Sequence, residues 1–288
     1  MLRVGINLWF KDRPRIRELL SRARAAGFSY VELSMDYPFG VVDREPFEEM
    51  LRIARDEGFE VAVHAPWQEV NIASPLEPVR RGSVEVVKAA IEEASRLGAL
   101  YVVTHVTSCQ AVCKKEPPST NPCVAAAIRS LRELLSYAER LGVELYPENT
   151  GGACCGKIDQ FSTVVEEAGA LACLDAAHAL TSDSQLVKRL PQPVELAEVV
   201  DEWSSALNNR VALLHIHGVR RRSDGHVESH TDFDQCTVDV KRIVRRLGGS
   251  LRYVLFEIFR HSNGTPFDPL RVAHLAKNFR SWSMVYCP

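Results

Sequence analysis

Six positions in the sequence share one context: an apolar run that ends on an imidazole or a carboxylate. His64 ends EVAVH, His105 ends YVVTH, Glu148 ends VELYPE, Asp175 ends LACLD, His215 ends VALLH and Glu257 ends YVLFE. His178 follows Asp175 closely enough to reach the same place. A lone histidine at the end of a strand is commonly a hydrogen-bonded bystander, but six strands in succession ending this way read as one ligand set. Imidazoles and carboxylates without a thiolate suit zinc, manganese or a similar divalent ion, and the residue types do not choose between them. The densest stretch is VALLHIHGVRRRSDGHVESH, residues 211–230, where an apolar run opens into a loop holding Arg220, Arg221, Arg222, Asp224, His226, Glu228 and His230. So many polar groups beside a buried strand are costly unless something compensates them, and a bound cation does.

The elements that must position these residues alternate. Short β-branched runs at 4–8, 30–33, 60–64, 101–104, 143–146, 171–174, 211–214 and 253–256 are separated by amphipathic stretches at 14–26, 45–57, 79–97, 125–141, 161–168, 194–203, 238–247 and 269–279. Repeated βα units predict a parallel sheet. Eight of them with no glycine-rich turn after the first favour a closed (β/α)8 barrel, a TIM barrel of the α/β class, over a doubly wound sheet. The barrel takes residues 1–288 as one domain. Connections after the strands at 64–76, 105–123, 149–158 and 217–237 are long, whereas those after the helices shrink to a glycine and a residue or two. That asymmetry places a site at the C-terminal mouth. Below it, the expected filling is Val, Ile and Leu.

Composition narrows the class. The 35 basic and 37 acidic residues nearly balance, so no uniform basic field marks a nucleic-acid binder. Neither the N-terminus nor any apolar run has the form of a signal peptide or membrane span, so a cytoplasmic protein with no membrane partner is expected. Eight cysteines, five of them in loops of the mouth (Cys109, Cys113, Cys123, Cys154 and Cys155), show no CxxC spacing. They are expected as free thiols, with disulfides admissible if the excess of arginine over lysine marks a thermophile.

Five segments, HAPWQEVNIASP, ENTGG, LDAAH, LHIH and LFE, resemble in the same order the endonuclease IV group (AP endonuclease family 2) of the xylose-isomerase-like barrels. The resemblance implies up to three zinc ions held by nine side chains. His64, His105 and Glu148 would hold one, and Glu148 would bridge to a second completed by Asp175, His215 and Glu257. His178 would share the third with an acid-x-histidine pair, either Asp224 with His226 or, in better agreement with the spacing to Asp239, Glu228 with His230. Departures from the family pattern (Asp234, Gln235 and Cys236 for a glycine-rich turn, His217 and Gly218 for Asn-Asp, Val106 and Thr107 for Pro-Gly) bear on the third metal and on DNA docking, not on the two-metal core.

The chemistry implied is hydrolysis of a phosphate ester, in abasic-site DNA or a related sugar phosphate, with Glu148 bridging and Glu257 orienting the nucleophile. Trp67 would stack on a base or sugar. Asn71, His217, Arg220 and Arg221 would contact substrate, the arginines as a phosphate clamp. The alternative is a sugar isomerase or epimerase using one manganese-like ion on Glu148, Asp175, His215 and Glu257, with Glu148 and Glu257 as the acid and base. Arg221, six residues after His215, resembles a ketose 3-epimerase feature. Oligomeric state is left open by the sequence.

Overall fold

The computed structural model describes residues 2–114, 116–151 and 154–286. Gly152, which ends the ENTGG segment, and the eighth cysteine, Cys287, lie outside the described residues. Eight parallel strands close a barrel: β1 (Arg3–Leu8), β2 (Tyr30–Ser34), β3 (Glu60–His64), β4 (Tyr101–His105), β5 (Glu144–Glu148), β6 (Ala172–Asp175), β7 (Val211–Ile216) and β8 (Tyr253–Phe256). Each pairs with its chain neighbours, and β8 returns to β1 through Arg3↔Tyr253 and Ile6↔Phe256. β5 runs to Glu148 despite Pro147, because the register against β4 pairs His105 with Glu148.

Alternation along the strands sorts the two faces. Val4, Ile6, Val31, Leu33, Val61, Val63, Leu174, Leu214, Val254 and Phe256 belong to the large core between sheet and helices. The barrel interior differs from the aliphatic filling expected. Tyr30, Tyr101, Tyr146 and Tyr253 fill it, with Ala62, Val103, Cys173, Leu213 and Leu255. The rings of Tyr101 and Tyr253 lie 4.8 Å apart, and Tyr101 donates a hydrogen bond to the Tyr30 hydroxyl at 3.1 Å. Gly5 makes room for this layer: a Cβ there would stand 2.6 Å from the Tyr30 ring.

Two connections differ from the expected loops. After Asp175 the chain turns at once into a helix, Ala176–Ser182, capped by the Asp175 carboxylate accepting from the His178 N–H at 2.6 Å. After β7 it forms a hairpin of Gly218–Arg221 with Val227–Thr231, turning through Gly225 at φ 84°. The cysteine expectation also changes. Cys113 bonds Cys123 and Cys154 bonds Cys155, while Cys109, Cys173 and Cys236 are free. The β4 loop folds back on itself and brings the Cys113 and Cys123 Cα atoms to 5.9 Å, inside the usual disulfide span.

Candidate metal centre

Glu148 is the middle of the mouth. It is wholly buried at the end of β5, and four imidazoles surround its two oxygens. Oε2 faces His64 Nε2 at 3.3 Å and His105 Nε2 at 3.5 Å. Oε1 faces His178 Nδ1 at 3.5 Å and His215 Nδ1 at 3.6 Å. His215 Nδ1 also stands 3.5 Å from Glu257 Oε2, and His230 Nδ1 stands 3.7 Å from the same oxygen. Among the described residues, Glu148 Oε1, Glu257 Oε2 and both ring nitrogens of His215 are buried without a hydrogen-bond partner.

Those spacings suit cations better than hydrogen bonds. Donors held about 2.0–2.1 Å from one tetrahedral ion stand about 3.3 Å from each other. Among the described residues, four sets have ligand atoms within 4.8 Å of one another: His64, His105 and Glu148; Glu148, Asp175, His215 and Glu257; Glu148, Cys173 and His215; and His178, His217 and His230. Glu148 thus belongs to three sets, two of them sharing His215, and the orphaned oxygens and nitrogens are what a bound ion would satisfy.

The electrostatics agree. Burial works against the protonated form of His64, but the Glu148 carboxylate outweighs it and lifts the ring to about 9. His105 faces the same oxygen, yet burial pushes it down. His178, against its burial, is lifted to about 10 by Asp175 and Glu148. Glu148 and Glu257 remain ionised despite burial. His215 and His105 hold the first well below the carboxylate range, and His230 and His215 hold the second at about 2. Burial and the neighbouring His217 push His230 down to about 3.

Glu228 is not part of these sets. In the hairpin it lies directly across from Arg220, and it pairs with that guanidinium at 2.6 Å and with Arg260. A register shift follows, with His230 at φ 56°, so the strict alternation that would send 228 and 230 to one face is broken. His230 therefore enters the centre while Glu228 turns to the arginines. The other candidate pair also stays outside, with Asp224 and His226 in the exposed turn. His217 lies beside His178 and His230 and braces the centre. Its Nδ1 accepts from the His230 N–H at 2.9 Å, which leaves Nε2 to donate to Asp175 Oδ2 at 3.1 Å.

A cavity of about 170 Å³ opens above, lined by Trp9, Ser34, Asp36, His64, Trp67, His105, His178, His230, Glu257 and Phe259. Trp67 sits over His105 at 5.9 Å on one side. Opposite it, Trp9, Phe259, His230 and His217 form a column of stacked rings with centroid steps of 5.4, 4.5 and 4.0 Å. Trp9 Nε1 donates to Asp36 at 2.9 Å. Of the expected substrate contacts, Trp67 lines this cavity and the others do not. His217 is fully buried behind it. Asn71 bonds the Glu69 carbonyl and accepts from Cys109 Sγ. Arg220 is held by Glu228, and Arg221 donates to the Val187 carbonyl at 2.8 Å. Trp9, Asp36 and Phe259 were not singled out in the sequence, although each lies just past the C-terminal end of a barrel strand, where such residues are to be sought.

No helix of the described residues is long and apolar enough to cross a membrane. A probable endonuclease 4 of Natranaerobius thermophilus is 29% identical over 149 residues, 46% of this chain and 47% of that protein. A probable endonuclease 4 of Thermoplasma acidophilum is 22% identical over 62% of this chain and 58% of its own length. The chain therefore matches only about half the length of these relatives. In fold it is similar to a D-psicose 3-epimerase from Clostridium cellulolyticum H10, with a TM-score of 0.68, 14% identity and full coverage of both chains. Residues 20–281 match the family described as the xylose isomerase-like TIM barrel, and the closed barrel with its polar mouth is the architecture of that family, to which this chain belongs.

Proposed function

We propose that the centre hydrolyses phosphate esters with two or three divalent cations, zinc being the ion that the endonuclease IV resemblance implies. The observation that carries this reading is Glu148, a single buried carboxylate shared between ligand sets, with the imidazoles of His178, His217 and His230 beside them. A one-metal enzyme has no use for His64 and His105 on the far oxygen of that carboxylate. Bound together, the cations would lower the pKa of water and neutralise charge on the attacking and leaving oxygens.

The chain's own residues have separable tasks. His64, His105 and Glu148 would hold one ion; Glu148, Asp175, His215 and Glu257 the second; His178 and His230 a third. His217 fixes Asp175 through its Nε2–H. Glu257, whose Oε2 faces both His215 and His230, would accept a hydrogen bond from the nucleophile and orient it. Trp67, Trp9 and Phe259 offer aromatic faces to the sugar or base next to the phosphate. A cavity of about 170 Å³ takes one such unit, so an abasic nucleotide would enter extruded from its duplex, or the substrate is a free sugar phosphate.

The second reading, a one-metal sugar epimerase, has one observation in its favour: Glu148, Asp175, His215 and Glu257 form a complete set by themselves. Against it, Arg221 is tied to the Val187 carbonyl and lies off the cavity. Metal counting on purified protein, followed by assay on an abasic-site duplex, small phosphodiesters and free ketoses, separates the two. Two or three zinc ions with cleavage of an ester support the hydrolase. One manganese-like ion with ketose epimerisation and no ester cleavage refutes it.

A further inference from the structure

We infer that Glu32, on the side of the barrel across from β7, is a positioning residue that fixes the ring of His215 with Nδ1 toward the metal pocket. Neither the ligand pattern nor the resemblance includes it. Glu32 is inward-facing on β2, 1% exposed, and in register with Asn7 of β1 and Ala62 of β3. Its Oε2 stands 3.3 Å from His215 Nε2. Both atoms are buried without a hydrogen-bond partner in this arrangement, and each is the nearest ionic partner of the other.

An imidazole that ligates a cation through one nitrogen carries its proton on the other. His215 Nδ1 faces Glu148 Oε1 at 3.6 Å and Glu257 Oε2 at 3.5 Å, on the side where the cation would lie. Nε2 points the opposite way, into the barrel, where a proton on it meets Glu32. Besides Glu148, Asp175 and Glu257, the described residues group this ring with the thiol of Cys173, a weak acceptor that does not replace a carboxylate. Such an outer carboxylate raises the basicity of the ligating nitrogen and holds the ring in plane. It also places a fourth buried carboxylate, after Glu148, Asp175 and Glu257, within reach of the imidazoles.

The inference rests on the metal centre and not on the reaction it runs, so its tests use no substrate. In zinc-loaded protein, competition with a chromophoric chelator should show Glu32→Gln holding zinc in the Glu148–Asp175–His215–Glu257 set about 10–100-fold more weakly than the parent. A carboxylate serving only to fill the barrel would lower the melting temperature of the metal-free variant and leave chelator competition unchanged, and unchanged competition in folded Glu32→Gln overturns the inference. The unaltered zinc-loaded protein gives a second decision that needs no variant. Nitrogen-15 NMR of the histidine side chains should find His215 protonated at Nε2 and metal-bound at Nδ1, and the reverse tautomer overturns the inference.

Discussion

Replacing Glu148 by glutamine is the sharpest perturbation of this centre. The amide keeps the shape and one acceptor oxygen but removes the charge that His64, His105, His178 and His215 surround at 3.3, 3.5, 3.5 and 3.6 Å. Removing one partner of a buried charge pair costs about 3–5 kcal/mol, which is about two to four powers of ten in a binding constant. Affinity for the cations of both sets should fall by that factor, with turnover falling at least as far. Chelator competition and initial rates measure the two losses. The metal-free protein offers a separate check with a defined sign. His64 is lifted from its ordinary value to about 9 by the carboxylate, so its stabilisation is complete below about 6.5 and is lost as pH rises through 9. Glu148 is depressed, so its own contribution is present above the usual carboxylate range and lost in acid. The stability gap between parent and variant should therefore be widest near pH 6 and should narrow as pH rises through 9, the share that His178 contributes persisting to about 10. Wild-type metal content and turnover in Glu148→Gln, or a gap constant across that range, would refute the reasoning.

Three further outcomes follow from particular contacts. Trp67→Ala and Phe259→Ala should each raise KM by roughly 5–100-fold, the loss of one stacking contact of about 1–3 kcal/mol, with a smaller change in kcat; unchanged KM in steady-state assays would remove the aromatic walls from substrate binding. Gly5→Ala should destabilise the barrel by about 1–3 kcal/mol, because the new methyl meets the Tyr30 ring, and thermal melting should show it. Arg220→Met should loosen the hairpin and leave KM unchanged, since Arg260 still pairs Glu228; a large rise in KM would put the guanidinium on the substrate.

The barrel and most of its mouth could be read from the sequence because two strong regularities coincide there. Parallel strands buried on both faces appear as continuous apolar runs, and in such a barrel their C-terminal ends point to one place. The residues that escaped notice each depend on something periodicity does not encode. The family resemblance places Glu228 in the centre with His230, and an irregularity in the hairpin parts the two. The Asp224–Gly225 turn did signal a hairpin, but the surrounding charge made the segment read as a loop. The phenols of the interior sit at alternate strand positions, where Tyr30, Tyr101, Tyr146 and Tyr253 look like ordinary strand residues until Gly5 is seen to make room for one of them. Glu32 lies in the middle of YVELS, and only the fold brings it to His215 from across the barrel.

Four tyrosine rings fill the barrel beneath the mouth, so a cation held by these ligands would be reached from the cavity side. Trp67 and Phe259 line that cavity, so water and ions entering through it would pass their rings. A molecule lodged there would cover the ligands, and loss of metal through this cavity to an external chelator would then proceed no faster than that molecule departs. Occupancy by substrate would thus prolong the life of the loaded centre without adding a single ligand to it.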